Sequence, residues 1–212
     1  IEFYEYSVGT TPGGQDHFGW TDIDTLTEIS MDAGLAHGLT YYTSVRATDV
    51  VDNVSVPGIS NGVTIDTLPP VIISLSETSI DDPEYQGSDS SLVLIWEGSD
   101  DLSGLERYDI AIGTSYGEVD LVDWTSMGLD LSVDITSLAL QDGNRYYGSV
   151  RTIDLAGNMT EFGANGVIVD TTPPDAGTVL DGKYEDNEYM SNASIEVSWS
   201  GFSDMGSGIS EY

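Results

Sequence analysis

Apolar and polar residues alternate along this chain in short runs. Between residues 71 and 174, Leu92, Leu94 and Trp96 alternate with polar neighbours, as do Tyr108, Ile110 and Ile112, then Leu131, Val133 and Ile135; Tyr146, Val150, Val167 and Val169 continue the series. A period of two in β-branched and aromatic residues predicts half-buried strands. Turn-forming clusters separate the runs: Gly98-Ser99-Asp100, Gly113 to Gly117, Gln141-Asp142-Gly143-Asn144 and Ala156-Gly157-Asn158. About seven short strands punctuated in this way predict an all-β fold built of antiparallel sandwiches, and no segment carries the spacing of an amphipathic helix.

The pattern is written twice. Tyr4, Gly9, Thr10, Gly13, Asp16 and Trp20 recur 104 residues later as Tyr108, Gly113, Thr114, Gly117, Asp120 and Trp124. Asp66-Thr67-Leu68-Pro69-Pro70 returns at the same offset as Asp170-Thr171-Thr172-Pro173-Pro174. A period of domain size predicts a tandem array. The expected units are residues 1–70, lacking strands A and B; residues 71–174, complete; and residues 175–212, holding strands A and B (Ile195, Val197, Trp199) and the start of C at Ile209 to Tyr212. Neither incomplete unit is expected to bury its inner face alone. Such a chain reads as a window on a longer array; the alternative is completion by another copy, the Ile195–Trp199 strand of one filling the gap in the next. Paired prolines make stiff, extended joints, so the units are expected to stand end to end.

Leu140, Gly143 and Tyr146, and again Leu35, Gly38 and Tyr41, resemble the tyrosine corner of fibronectin type III and related immunoglobulin-like domains. Trp96 and Trp199 sit where such domains place a strand-B tryptophan. The runs Val45-Arg46-Ala47-Thr48-Asp49 and Val150 to Asn158 resemble the F strand and FG turn of repeats in large bacterial surface proteins, which also join modules through Asp-Thr-x-Pro-Pro. The resemblance implies a sandwich fold and a place on the cell exterior, in spacers, adhesins or filaments.

Charge narrows the partners. The chain has 37 acidic and 5 basic side chains, a formal net charge of −32. Binding to nucleic acid or to an anionic membrane surface needs clustered Lys and Arg and is excluded. No apolar run reaches the ~18 residues of a membrane span, so direct insertion is not expected. The N-terminal residues lack the basic and apolar regions of a signal peptide. Absence of cysteine removes disulfides and thiolate metal sites.

Catalysis finds no support: His17 and His37 fall in predicted loops as surface histidines, and no phosphate loop, His-Glu-x-x-His or helix–loop–helix calcium motif occurs. One constellation suits a hard cation. In this fold the linker, BC loop and FG loop gather at one pole, which brings Asp66, Asp100, Asp101, Asp154 and Asn158 together with Ser103; Asp170 and Asp204 occupy the same places at the next junction. Calcium takes six to eight oxygen ligands, which converging acidic loops supply. The other reading of the same residues is turn chemistry alone, since Asp and Asn side chains bond nearby backbone amides. Asn53, Asn158 and Asn192 head Asn-x-Ser/Thr sequences, a pattern expected by chance in such loops.

The function read from these features is structural: a repeat segment of a giant extracellular bacterial surface protein, forming a stalk, adhesin or filament, stiffened by Ca2+ and partnered by neighbouring repeats or copies of itself. Two alternatives stand beside it. One is a carbohydrate- or protein-binding module with Trp20 and Trp124 as an aromatic platform for a surface glycan or protein ligand. The other is a spacer within a secreted enzyme.

Overall fold

The computed structural model describes residues 1–212 except 80, 183, 184, 187, 190–193, 211 and 212. The Asn192 sequence and the C-terminal end of the expected third strand C, Glu211 and Tyr212, lie outside the described residues. Two compact units emerge: Ile1–Val71 with Ser99–Glu106 and Ile153–Thr160, and Ile72–Gly98 with Arg107–Thr152 and Glu161–Tyr212. The described residues hold strands and no helix.

The first unit contains β1 (Phe3–Gly9), β2 (Phe18–Asp22), β3 (Thr40–Thr48), β4 (Gly58–Ile59) and β5 (Val63–Thr64). They form one sheet in the order β2-β1-β3-β4, with β5 also pairing β3. Its inner face carries Tyr6, Val8 and Tyr41, packed by Phe18, Ile23, Leu35 and Ile65. An uncovered inner face was expected here, and the structure corrects this in part. Although residues 24–37 form no strand, His17 Nε2 meets the Ala33 carbonyl at 2.7 Å and the Tyr6 hydroxyl reaches Met31 Sδ at 3.5 Å. The draped segment reduces Tyr6 to 8% exposure, while Val45, across a cavity from Leu26 and Ile29, stays 41% exposed. Apolar burial drives the segment down even without a partner strand to pair with.

A full sandwich follows. Its first sheet, β11-β8-β6, comprises β6 (Val71–Glu77), β8 (Ser91–Ser99) and β11 (Ser132–Thr136), with β7 (Tyr85–Gln86) between β6 and β8 in the chain. The second sheet is built from β9 (Leu105–Gly113), β10 (Val122–Gly128), β12 (Arg145–Asp154), β13 (Met159–Gly163) and β14 (Val167–Val169) in the order β10-β9-β12-β14-β7; β13 pairs β12, and β7 pairs β14 in parallel. Leu92, Leu94 and Trp96 face Tyr108, Ile110, Ile112 and Val150, all buried. Trp96 and Tyr108 meet edge to face with centroids 6.0 Å apart, a favoured aromatic geometry.

Both tyrosine corners form. The Tyr146 hydroxyl accepts the Gln141 amide at 2.8 Å, and the Tyr41 hydroxyl accepts the Ala36 amide at 3.1 Å. The repeated Gly-Thr and Asp positions also acquire a physical reason. Thr114 donates its amide and hydroxyl to Asp120, as Thr10 does to Asp16, closing the same turn twice. A Cβ at Gly113 would overlap the Glu118 carbonyl, so the turn requires glycine there.

Two readings of the alternation need correction. Strands β9 and β12 are buried on both faces, Asp109, Ala111, Ser149 and Thr152 included, instead of half-buried. The outer face is roofed by Arg107 and Arg151, which pair with Asp109 at 3.2 Å, and by Trp124 stacked on Arg151. Strand B of the third segment is shorter than expected: β15 (Thr178–Leu180) pairs β16 (Ser198–Ser200), while Ile195 lies outside any strand at 76% exposure and Trp199 is 52% exposed. A lone hairpin has no facing sheet to bury its apolar side.

Glu77 ends β6 inside the sandwich at 1% exposure. Its Oε1 accepts the Gly148 amide at 3.0 Å, and its buried Oε2 has no hydrogen-bond partner among the described residues. Burial raises its pKa to about 7, with the Asp82 carboxylate adding to the rise against backbone donors at Gly148 and Gly166. The folded chain therefore holds a proton that the unfolded chain has released between pH about 4.5 and 7. Stability from this site is full below that window, falls as pH rises through it by roughly 3 kcal/mol, and is flat above. Glu77→Gln is expected to flatten that slope in urea unfolding curves recorded from pH 4.5 to 8. Leu94→Ala, at a position with no exposure, is expected to cost roughly 2–5 kcal/mol in the same measurement.

Candidate metal centre

Asp66 follows β5, Asp100 follows β8 and Asp154 closes β12, and all three lie in the first compact unit. Turn chemistry fixes each one. Asp154, fully buried, accepts the Ala156 and Asn158 amides on Oδ1 at 2.9 and 2.8 Å and Asn158 Nδ2 on Oδ2 at 2.8 Å. Asp100 Oδ2 accepts the Leu102 and Gly104 amides at 3.0 and 2.6 Å. Its Oδ1 is buried and has no hydrogen-bond partner among the described residues. Asp66 Oδ2 accepts the Ser103 amide at 3.0 Å and Oδ1 the Leu68 amide at 3.2 Å, while its carbonyl accepts Asn158 Nδ2 at 3.2 Å.

One carboxylate oxygen from each aspartate lies within 4.8 Å of the other two. Three oxygens so spaced can all lie about 2.8 Å from one point, a few tenths of an ångström beyond the Ca–O distance and well beyond that of Mg–O. Partly buried carboxylates this close repel one another unless a cation sits among them. The four arginines form ion pairs with Glu5, Glu84 and Asp109. The Asp66 carboxyl is held below the usual range, chiefly by the Ser103 side chain against the opposing effect of burial, with the Leu68 and Ser103 amides and His37 contributing.

Of the five residues singled out in the sequence, the structure brings Asp66, Asp100 and Asp154 together. Asn158 borders them as a donor to two, which ties up its amide nitrogen as Asn53 is tied to Asp49. Asp101 points to solvent outside the group. Neither histidine is the free surface residue expected. His17 packs edge-on against Phe18 and Tyr41, and His37 Nδ1 accepts the Thr67 amide at 3.1 Å beside Asp66. Only the repeat could have flagged His37: its counterpart Asp142 takes the matching Thr171 amide and hydroxyl.

Parts of the scheme recur. Asp170 accepts the Ser207 and Thr172 amides as Asp66 accepts those of Ser103 and Leu68, and Asp204 accepts the Gly206 and Gly208 amides as Asp100 accepts those of Leu102 and Gly104. Asp49 holds the Val51 and Asn53 amides as Asp154 holds those of Ala156 and Asn158. Trp20 and Trp124 recur as stacks: the Arg46 and Arg151 guanidiniums sit 4.3 and 4.2 Å over their rings, occupying one face of each. Among the described residues no helix is long and apolar enough to cross a membrane.

No family model matches the chain. It is similar to Exoglucanase B of Cellulomonas fimi, 28% identical over 181 residues, covering 80% of this chain and 15% of that protein. Among solved structures it is similar to the chicken CNTN1 FN1–FN3 domains, with a TM-score of 0.45 and 16% identity over 79% of this chain and 56% of that one. The chain thus spans only a small part of the curated relative that it matches.

Removing the linker carboxylate isolates its role. In Asp66→Ala the Ser103 and Leu68 amides lose their acceptor, and hydrogen exchange at both is expected to accelerate; Asp101→Ala, at an exposed side chain, is expected to leave both unchanged.

Proposed function

We propose that the chain is a structural β-sandwich repeat segment of a large extracellular bacterial surface protein, in which a calcium ion held by Asp66, Asp100 and Asp154 stiffens the junction between repeats. One observation carries the reading: three carboxylates from three separate segments converge, and one of their buried oxygens has no hydrogen-bond partner among the described residues. The chemistry asked of the ion is electrostatic. It neutralises like charges and ties the Asp66 linker to the loops after β8 and β12, so the joint preceding Pro69 and Pro70 loses freedom. The recurring Asp49, Asp170 and Asp204 geometries support a device used along the array. In this reading neighbouring repeats are the partners, and the negative charge keeps extended molecules from lateral sticking.

The similarity to Exoglucanase B favours a second reading, in which the same module is a spacer within an exoglucanase-like enzyme. A stiff acidic joint serves either setting.

Calorimetric titration of the whole chain tests the cation site. Calcium is expected to bind with a dissociation constant on the order of 10⁻⁴–10⁻³ M, the range of extracellular modules. At a hundredfold excess over that constant it should add about 2.7 kcal/mol of stability. Asp100→Asn is expected to abolish the heat and the gain in thermal stability, and Asp101→Asn to preserve both. An absence of binding at millimolar calcium ends the proposal.

A further inference from the structure

The second unit carries an open cleft, about 360 Å³, lined by Leu75 of β6, Asp82, Tyr116 of the β9–β10 turn, and the stretch Phe162, Gly163, Ala164 and Asn165 at the end of β13. Tyr116 is 65% exposed and Phe162 47%. The Tyr116 ring is held in place. Tyr116 packs so closely on Gly163 that a Cβ there would lie 3.0 Å from Cε2 of its ring, and it meets Tyr147 edge to face at 6.4 Å. The neighbouring rim is pinned by Arg145, which donates to the Asn165 and Gly166 carbonyls at 3.3 and 2.6 Å and pairs with Glu84 at 2.9 Å. The Tyr116 face is thus preorganised, which lowers the entropy lost on binding.

The repeat shows that the fold does not require them. At the same phase in the first copy Pro12 stands for Tyr116 and Gly58 for Phe162, whereas core positions such as Tyr4 and Tyr108 recur. Two exposed aromatic rings that the sandwich can do without, one of them fixed, beside the Asp82 carboxylate and the Asn165 amide, call for a ligand.

We infer that this cleft is a subsite for a neutral glycan. The faces of Tyr116 and Phe162 carry the negative side of the ring quadrupole and suit the C–H face of a pyranose ring. Asp82 and Asn165 offer hydroxyl partners at the rim. No cationic side chain lines the cleft, and the chain as a whole bears −32, which disfavours acidic polysaccharides. At the small end of ligand pockets and open to one side, the cleft suits part of a chain laid across it better than an enclosed small molecule. The inference is independent of the cation site, whose residues belong to the other unit.

Affinity electrophoresis of the whole chain through gels containing hydroxyethylcellulose, xylan or galactomannan, with EDTA present, tests it. Retardation by at least one polymer is expected, unchanged in 0.5 M salt, with affinity about tenfold weaker in both Tyr116→Ala and Phe162→Ser. Trp124→Ala, removing the stacked tryptophan, should keep the retardation provided its circular dichroism shows the fold intact. No retardation in any gel, retardation lost in salt as for a basic-peptide surface, or equal retardation of wild type and both aromatic variants overturns the inference.

Discussion

Closure of one apolar sheet face by another governs this chain. The same sequence pattern appears in three degrees of closure. Where β6, β8 and β11 face β9 and β12, Ile110, Ile112 and Val150 are at most 1% exposed. Where only the segment 24–37 lies over the sheet, Tyr6 and Tyr41 are covered but Val45 is left open. Where two short strands pair only with each other among the described residues, Val179 and Trp199 are both more than half exposed. Each apolar side chain removed from water contributes on the order of 1.5–3 kcal/mol, so regular strand structure follows closure. The covered sheets hold strands of nine and ten residues, β3, β8, β9 and β12, and the pair of β15 and β16 is three residues deep.

Upon that frame many of the aspartates build turns. Asp16 and Asp120 close the loop after the first strand of each copy, and Asp49 and Asp154 close the loop after the long tyrosine-corner strand. At the junction the same turn bonds do something more. By engaging Oδ2 of Asp100 with two amides, the turn leaves Oδ1 aimed inward without a partner. In the proposed cation site, these turn bonds are what orient the three carboxylates.

The outer faces of the sheets follow a different rule. Arg46 and Arg151 each bridge a tryptophan and an acid, in the trios Glu5–Arg46–Trp20 and Asp109–Arg151–Trp124. In a chain with so few cations, using two of them identically in both copies marks the stack as a structural element. The stack covers one ring face of each of these two tryptophans, whereas Tyr116 and Phe162 of the second unit are exposed.

The sequence alone determined whatever depends on local periodicity and on the repeat. Alternation marked the strands; Leu140, Gly143 and Tyr146 marked the corner; and the resemblance to fibronectin type III domains implied that the loops bearing Asp66, Asp100 and Asp154 meet at one pole. Such features are legible because hydrogen-bonded turns and half-buried strands constrain residues a few positions apart. The tertiary structure decided which carboxylates share a point in space, so that Asp101 faces solvent while its neighbour Asp100 turns in. It also decided that β9 and β12 are covered on both sides, that residues 24–37 drape without pairing, and that Glu77 is enclosed with one oxygen unsatisfied. Each of these depends on groups distant in sequence meeting at ångström precision, and periodicity carries no information about such meetings.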